Sequence, residues 1–233
     1  MQSSDLLAVS HILARAFEHE ASIGVFMHPY QSQYPDDMYL FFLRALRLDY
    51  WRGADHHLLV SYEIFQDGQE RVTGFAHWIR KRGEAARTPW LTAAELKCVQ
   101  AYNYIESLIY PNSAAEPSRT NLKAIVMPFI EHHWQGERAD NWYLSLLGVD
   151  PQYEKQGYGR ALVSFGFRRA MVEGIGCSVV SAAGRERFYR KCGFNIVAGR
   201  VQDEGGEANP LREVGGGTIM FADADSEALS EPK

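Results

Sequence analysis

Apolar residues recur every three to four positions at Leu6, Val9, Leu13 and Phe17, with Asp5 just ahead of them, so the chain is expected to open with an amphipathic helix capped by a carboxylate. After Pro29 and Pro35 the spacing returns in Tyr39, Leu40, Leu43, Leu46, Tyr50 and Trp51. It predicts a second helix entered at Asp36 or Asp37 and left near Gly53. The period then changes. Residues 57 to 65 and 71 to 80 read as two strands around Gln66-Asp67-Gly68-Gln69, where Asp-Gly suits the positive φ of a tight hairpin.

From 82 to 141 helical spacing takes over again, at 92 to 110 and 120 to 134, with breaks at Pro111, Pro117 and around Gly136. These residues read as a helical insertion, about 83–141. Beyond it the order is strand (142 to 149), helix (159 to 174), strand (177 to 182) and helix (185 to 192), and residues 218 to 221 suit a last strand. Strands separated by helices imply crossovers and a partly parallel sheet. The fold class is therefore α/β with a mixed sheet flanked by helices, in one domain over 1–222, followed by a flexible tail at 223–233.

Composition narrows the function without choosing it. The 233 residues are 46% hydrophobic and 23% charged, which excludes a disordered chain. Twenty-four basic residues against 29 acidic ones leave a formal charge of −5, which argues against general nucleic-acid or anionic-membrane binding. Three cysteines without CxxC spacing, no apolar run of transmembrane length and no cationic leader point to a reducing compartment, cytoplasmic or nuclear. The adjacent pairs His56-His57 and His132-His133 lack the i, i+4 spacing of a zinc site, so no metal is expected.

The chemistry concentrates in Leu146-Leu147-Gly148-Val149-Asp150-Pro151-Gln152-Tyr153-Glu154-Lys155-Gln156-Gly157-Tyr158-Gly159-Arg160-Ala161-Leu162. Here a strand passes through a loop with two glycines into a helix. Glycines at 157 and 159 let backbone N–H groups approach an anion, the helix dipole adds partial positive charge, and Lys155 and Arg160 add full charges. No Gly-Lys-Ser/Thr closes the loop and Leu162 replaces a third glycine, so neither a P-loop nor a dinucleotide fingerprint fits.

Val149-Asp150-Pro151 followed by Glu154-Lys155-Gln156-Gly157-Tyr158-Gly159 resembles the acetyl-CoA motif of the GNAT acyltransferase superfamily. Phe188-Tyr189-Arg190-Lys191-Cys192-Gly193-Phe194, some thirty residues on, resembles that family's tyrosine helix and Gly-Phe corner. The likeness covers 142 to 197 and extends to the hairpin at 57 to 80. The segment from Trp142 to Pro151, taken with the insertion, is similar to small-molecule fungal members. Two departures stand out: Glu154 takes the place of the usual Gln or Arg, and the chain starts with a helix where the family has a strand.

The resemblance implies a GNAT-type fold and direct transfer of an acetyl group from acetyl-CoA to an amine in a ternary complex, with no metal and no covalent intermediate. It implies that Leu147, Gly148 and Val149 hold the pantetheine arm as an added half-strand. Lys155, Gln156, Gly157, Tyr158, Gly159, Arg160 and Ala161 would hold the diphosphate, and Tyr189 would protonate or hydrogen-bond the departing sulfur. A small-molecule amine is the expected acceptor, with neither nucleic acid nor membrane as partner; its identity and the oligomeric state are left open. For the base, His77, Glu63, Ser145 and Tyr143 are candidates by position only. Tyr30 and Tyr34, in the proline loop, are candidates for the acceptor side. The alternative is a domain that keeps the fold as a CoA-binding or protein-interaction module without catalysis.

Overall fold

The structure is a computed structural model and describes residues 1–66, 68–83 and 90–224, with backbone alone at 90 and 91. Two helices come first, α1 (Leu6–Phe17) and α2 (Met38–Tyr50), then the hairpin strands β1 (His56–Ile64) and β2 (Glu70–Lys81). The insertion supplies α3 (Trp90–Ile109) and α4 (Leu122–Ile130). There follow β3 (Asn141–Val149), α5 (Tyr158–Glu173), β4 (Gly176–Ser181), α6 (Glu186–Cys192), β5 (Ile196–Arg200) and β6 (Thr218–Ala222). The strands form one sheet in the order β1-β2-β3-β4-β6-β5. Among the described strands only β3 and β4 pair in parallel, the crossover through α5 making that possible. Among the described residues no strand precedes α1, and no helix is long and apolar enough to cross a membrane.

The sheet buries both faces, because β2 and β3 alternate apolar side chains to each side. On one face Trp78, Leu144 and Val179 pack against Leu162, Val163 and Phe167 of α5. On the other, Phe75 meets Val9 and Leu13 of α1 and Phe42 and Leu46 of α2, while Tyr143, Ile219 and Phe221 meet Val126 and Ile130 of α4.

Several local expectations change in physically interpretable ways. Asp5 stands at the start of α1, yet its carboxylate caps the preceding 3-10 turn, Ser3–Asp5, and not α1: it accepts from the backbone N–H of Gln2 (2.6 Å) and from the Tyr62 hydroxyl of β1 (2.8 Å). The helical pattern over 120 to 134 breaks into α4 and a 3-10 turn, Glu131–Trp134. Pro128 lies within α4 and cannot donate a helix bond. Residues Ala21–Met27 wind as a π-helix, entered through Glu20, whose carboxylate accepts from the N–H groups of Ser22 and Ile23. Asp67 of the hairpin turn and residues 225–233 of the expected tail lie outside the described residues.

Helix α3 is turned the other way from an ordinary amphipathic helix. Asn103 and Glu106 face α2 and bind Arg47, while Ile105, Leu108 and Ile109 face solvent. The apolar spacing correctly marked a helix here, but it did not say which side faces inward.

Candidate active site

The site begins where two parallel strands part. β3 and β4 pair only from Asn141↔Gly176 to Leu144↔Val179, after which β3 continues with β2 alone on its other side. Ser145 is the hinge: His77 opposes Leu146 and Trp78 opposes Leu144, so Ser145 is an extra residue on β3, a bulge that bends the strand away from β4. Leu146, Leu147, Gly148 and Val149 thereby line a wedge, with backbone groups on their β4 side free to pair with an extended ligand. A side chain at Gly148 would come within 2.6 Å of the Leu13 side chain, so this stretch packs closely under α1.

The wedge ends at the start of α5. Lys155 and Gly157 both hold left-handed backbone, φ 63° and 94°, which turns successive N–H groups toward one side. Ala161, expected among the diphosphate ligands, donates its N–H to Gly157 O (3.0 Å) as the first helical bond. The open donors are therefore those of Gly157, Tyr158, Gly159 and Arg160, which have no acceptor among the described residues, and no side chain caps the helix. A Cβ at Gly157 would meet nothing within 4 Å among the described residues. Gly159 instead packs toward Phe188 and Val149, drawing α6, α5 and the end of β3 together. Glu154, the departure from the family pattern, places its carboxylate 3.4 Å from Arg185 at the start of α6. Asp150, at the strand exit, is buried and held by Arg15 of α1 at 2.5 Å.

Tyr189 comes from α6 and sits against Phe188 and Phe194, buried, with no hydrogen bond from its hydroxyl to any described residue. Burial pushes its phenol well above the usual range, so it stays protonated and able to donate. The Tyr143 phenol adds to that shift from the β3 side, and burial raises Tyr143 itself to about 12. Cys177 and Cys192 are shifted upward by burial, Cys192 to about 11, the wrong direction for a thiolate nucleophile.

The base candidates part company. Glu63 lies near the hairpin end of β1 opposite Arg71, Ser145 is the bulge, and Tyr143 lies beneath Lys81, whose Nζ is 4.8 Å from the ring centroid. His77 is buried on the face covered by α2. Its Nδ1 is 3.3 Å from Asp49 Oδ2 and its Nε2 is 2.9 Å from His56 Nδ1. Spacing within the sequence could not show this group, because its members come from α2, β1 and β2. The same holds for His132 and His133, which both approach Glu204 Oε1, at 3.9 and 3.0 Å. Each trio brings its ligand atoms within 4.8 Å of one another, so the exclusion of metal from histidine spacing considered only neighbours in sequence. Tyr30 and Tyr34 are both exposed, and the Tyr30 hydroxyl donates to Glu116 (3.1 Å).

The buried histidines give a pH signature. Burial, and then the charge of His77, lower His56 from the usual 6.5 to about 4. The folded state thus binds this proton less tightly than the unfolded chain, so the contribution is complete above pH 6.5 and is lost as pH falls through about 4. The thermal unfolding midpoint should fall across that window, and less steeply in His56→Gln; equal slopes would remove His56 as a source.

A wedge between parallel strands that runs to an uncapped helix N-terminus can hold an extended chain ending in an anion. Residues 124–196 match the family model described as an acetyltransferase (GNAT) domain. Solved structures sharing the fold include one described as histone acetyltransferase HPA2 and related acetyltransferase from Corynebacterium glutamicum. It is 15% identical with a TM-score of 0.56, over 96% of this chain and 93% of that one. Arylalkylamine N-acetyltransferase 2 from Aedes aegypti is 16% identical with a TM-score of 0.52, over 97% of each chain. No curated protein sequence matches the chain. Over residues 124–196 the chain thus matches a GNAT acetyltransferase domain, and it shares its fold with acetyltransferases of known structure.

Proposed function

We propose that the protein moves an acetyl group from acetyl-CoA to the amine of a small molecule while both are bound. The observation that carries this reading is the β3–β4 wedge running into four unbonded N–H groups at the start of α5. Those donors, with Lys155 and Arg160, suit a diphosphate, and the free edge of Leu147, Gly148 and Val149 suits the amides of a pantetheine arm. Tyr189 donates to the sulfur as the C–S bond breaks, so no enzyme nucleophile is needed. Acetyl-CoA is a co-substrate, and the reaction so drawn uses no metal. Three unpaired cysteines suit a reducing compartment, in the first instance the cytoplasm.

Titration calorimetry with coenzyme A tests the site. Gly157→Val should weaken binding by at least about tenfold, since a β-branched residue resists positive φ and its side chain fills the space over the donors. Unchanged affinity in that variant, or no binding by the wild type, would remove the reading. Free-thiol release with tryptamine, spermidine and a lysine peptide then separates a transferase from a module that only binds, and sorts a small amine from a peptide as acceptor.

A further inference from the structure

The Asp49–His77–His56 group is unexplained by packing alone, since it puts two imidazoles and a carboxylate between α2 and the sheet. Its hydrogen positions follow from what each atom can do. Asp49 accepts on both oxygens, Oδ1 from Arg52 Nε at 2.8 Å and Oδ2 facing His77 Nδ1 at 3.3 Å. A carboxylate cannot donate, so the His77 proton belongs on Nδ1 and its Nε2 is a lone pair. That lone pair, 2.9 Å from His56 Nδ1, requires the proton on His56 Nδ1. His56 Nε2 is then the open basic end of the chain, on a residue that is only partly buried. The contact with His77 helps hold Asp49 below the usual carboxylate range against the opposing effect of burial.

His77 stands on β2, beside β3, and His56 lies next to it on the edge strand β1. His77 opposes Leu146, the residue after the bulge at which β3 leaves β4. The same side of the sheet carries Tyr143 under Lys81, and Lys123 of α4 senses the charge of Asp49 across from it. Arg52 and Asp55 complete the charged surroundings of His56.

We propose that Asp49, His77 and His56 form a proton relay that takes the proton released by the acceptor amine during acetyl transfer. This rests on the acetyltransferase reading above and adds its missing base. The acceptor enters as the free amine. As its nitrogen bonds to the carbonyl carbon it becomes ammonium-like and acidic, and its proton passes to His56 Nε2. The Nδ1 proton of His56 moves to His77 Nε2, leaving the positive charge on His77 beside the Asp49 carboxylate. The C–S bond breaks with its electron pair on sulfur, which takes the Tyr189 proton. Tyr189 regains a proton through water as the relay discharges, so the net result is one amide and one thiol from one amine and one thioester.

Rates with the amine panel above, and of acetyl-CoA hydrolysis, in which water needs the same proton removal, test the relay across pH. His56→Ala should lower kcat by about a hundredfold with coenzyme A affinity unchanged, and free imidazole should restore part of it. Asp49→Asn should reduce kcat, with a changed pH profile, because the His77 tautomer is no longer enforced. If His56→Ala keeps kcat within about twofold, or imidazole restores nothing, the relay is overturned. If chelator treatment abolishes wild-type turnover and zinc restores it, a metal centre takes the relay's place. Coenzyme A binding without turnover of either amine or water also overturns it, whereas failure to bind coenzyme A removes the acetyltransferase reading itself.

Discussion

Trp78→Ala should lower the unfolding free energy by about 3–5 kcal/mol, the range for emptying a large buried aromatic site. The indole is fully buried, its Nε1–H donates to Leu162 O of α5 at 3.1 Å, and Gly166 of α5 exists where any Cβ would fall 2.5 Å from the ring. Helix and strand are therefore fitted to each other through one side chain, and alanine leaves a cavity and removes that hydrogen bond. At roughly 2–4 °C per kcal/mol for a chain of this size, the thermal midpoint drops on the order of 10 °C. Because α5 carries the open donors on its first turn, coenzyme A affinity should fall as well. Thermal and urea unfolding check the first part and calorimetry the second; a loss under about 1 kcal/mol would show that this contact does not hold α5.

Tyr189→Phe should leave the fold almost untouched and reduce kcat by about a hundredfold or more, the usual scale for a lost general acid. Phenylalanine keeps the ring contacts with Phe188 and Phe194, and the hydroxyl that disappears has no partner among the described residues. The thiol-release rate with saturating acetyl-CoA reads the effect, while coenzyme A affinity and the thermal midpoint should change little. A rate within about twofold of wild type would reduce Tyr189 to a packing residue. The two substitutions are complementary: the first tests whether Trp78 holds α5 in place, the second whether Tyr189 acts on a bound thioester.

How much of this was legible beforehand depends on how far apart the cooperating residues stand in the chain. The cradle was readable because Lys155 to Ala161 are contiguous and left-handed glycine backbone has a local cause. Even there, the Ala161 N–H is spent on Gly157 O inside the helix. Helix α3 was recognised from its period, but period is symmetric with respect to which face points in. Arg44 and Arg47 on α2 decide that by binding Glu106. The Asp5 carboxylate was read as a cap of α1 because local rules favour one, and the preceding 3-10 turn and Tyr62, distant in sequence, claimed it instead.

From the amino acids alone came the helices, the hairpin, the strand–loop–helix cradle and Tyr189 on its own short helix, since each depends on interactions spanning a few residues. Only the tertiary structure decided where β3 and β4 separate, that Ser145 is the bulge between them, and that Asp49, His56 and His77 meet. Those features depend on register and on contacts across the sheet, and a linear pattern of apolar and polar positions carries no record of which strand lies opposite which.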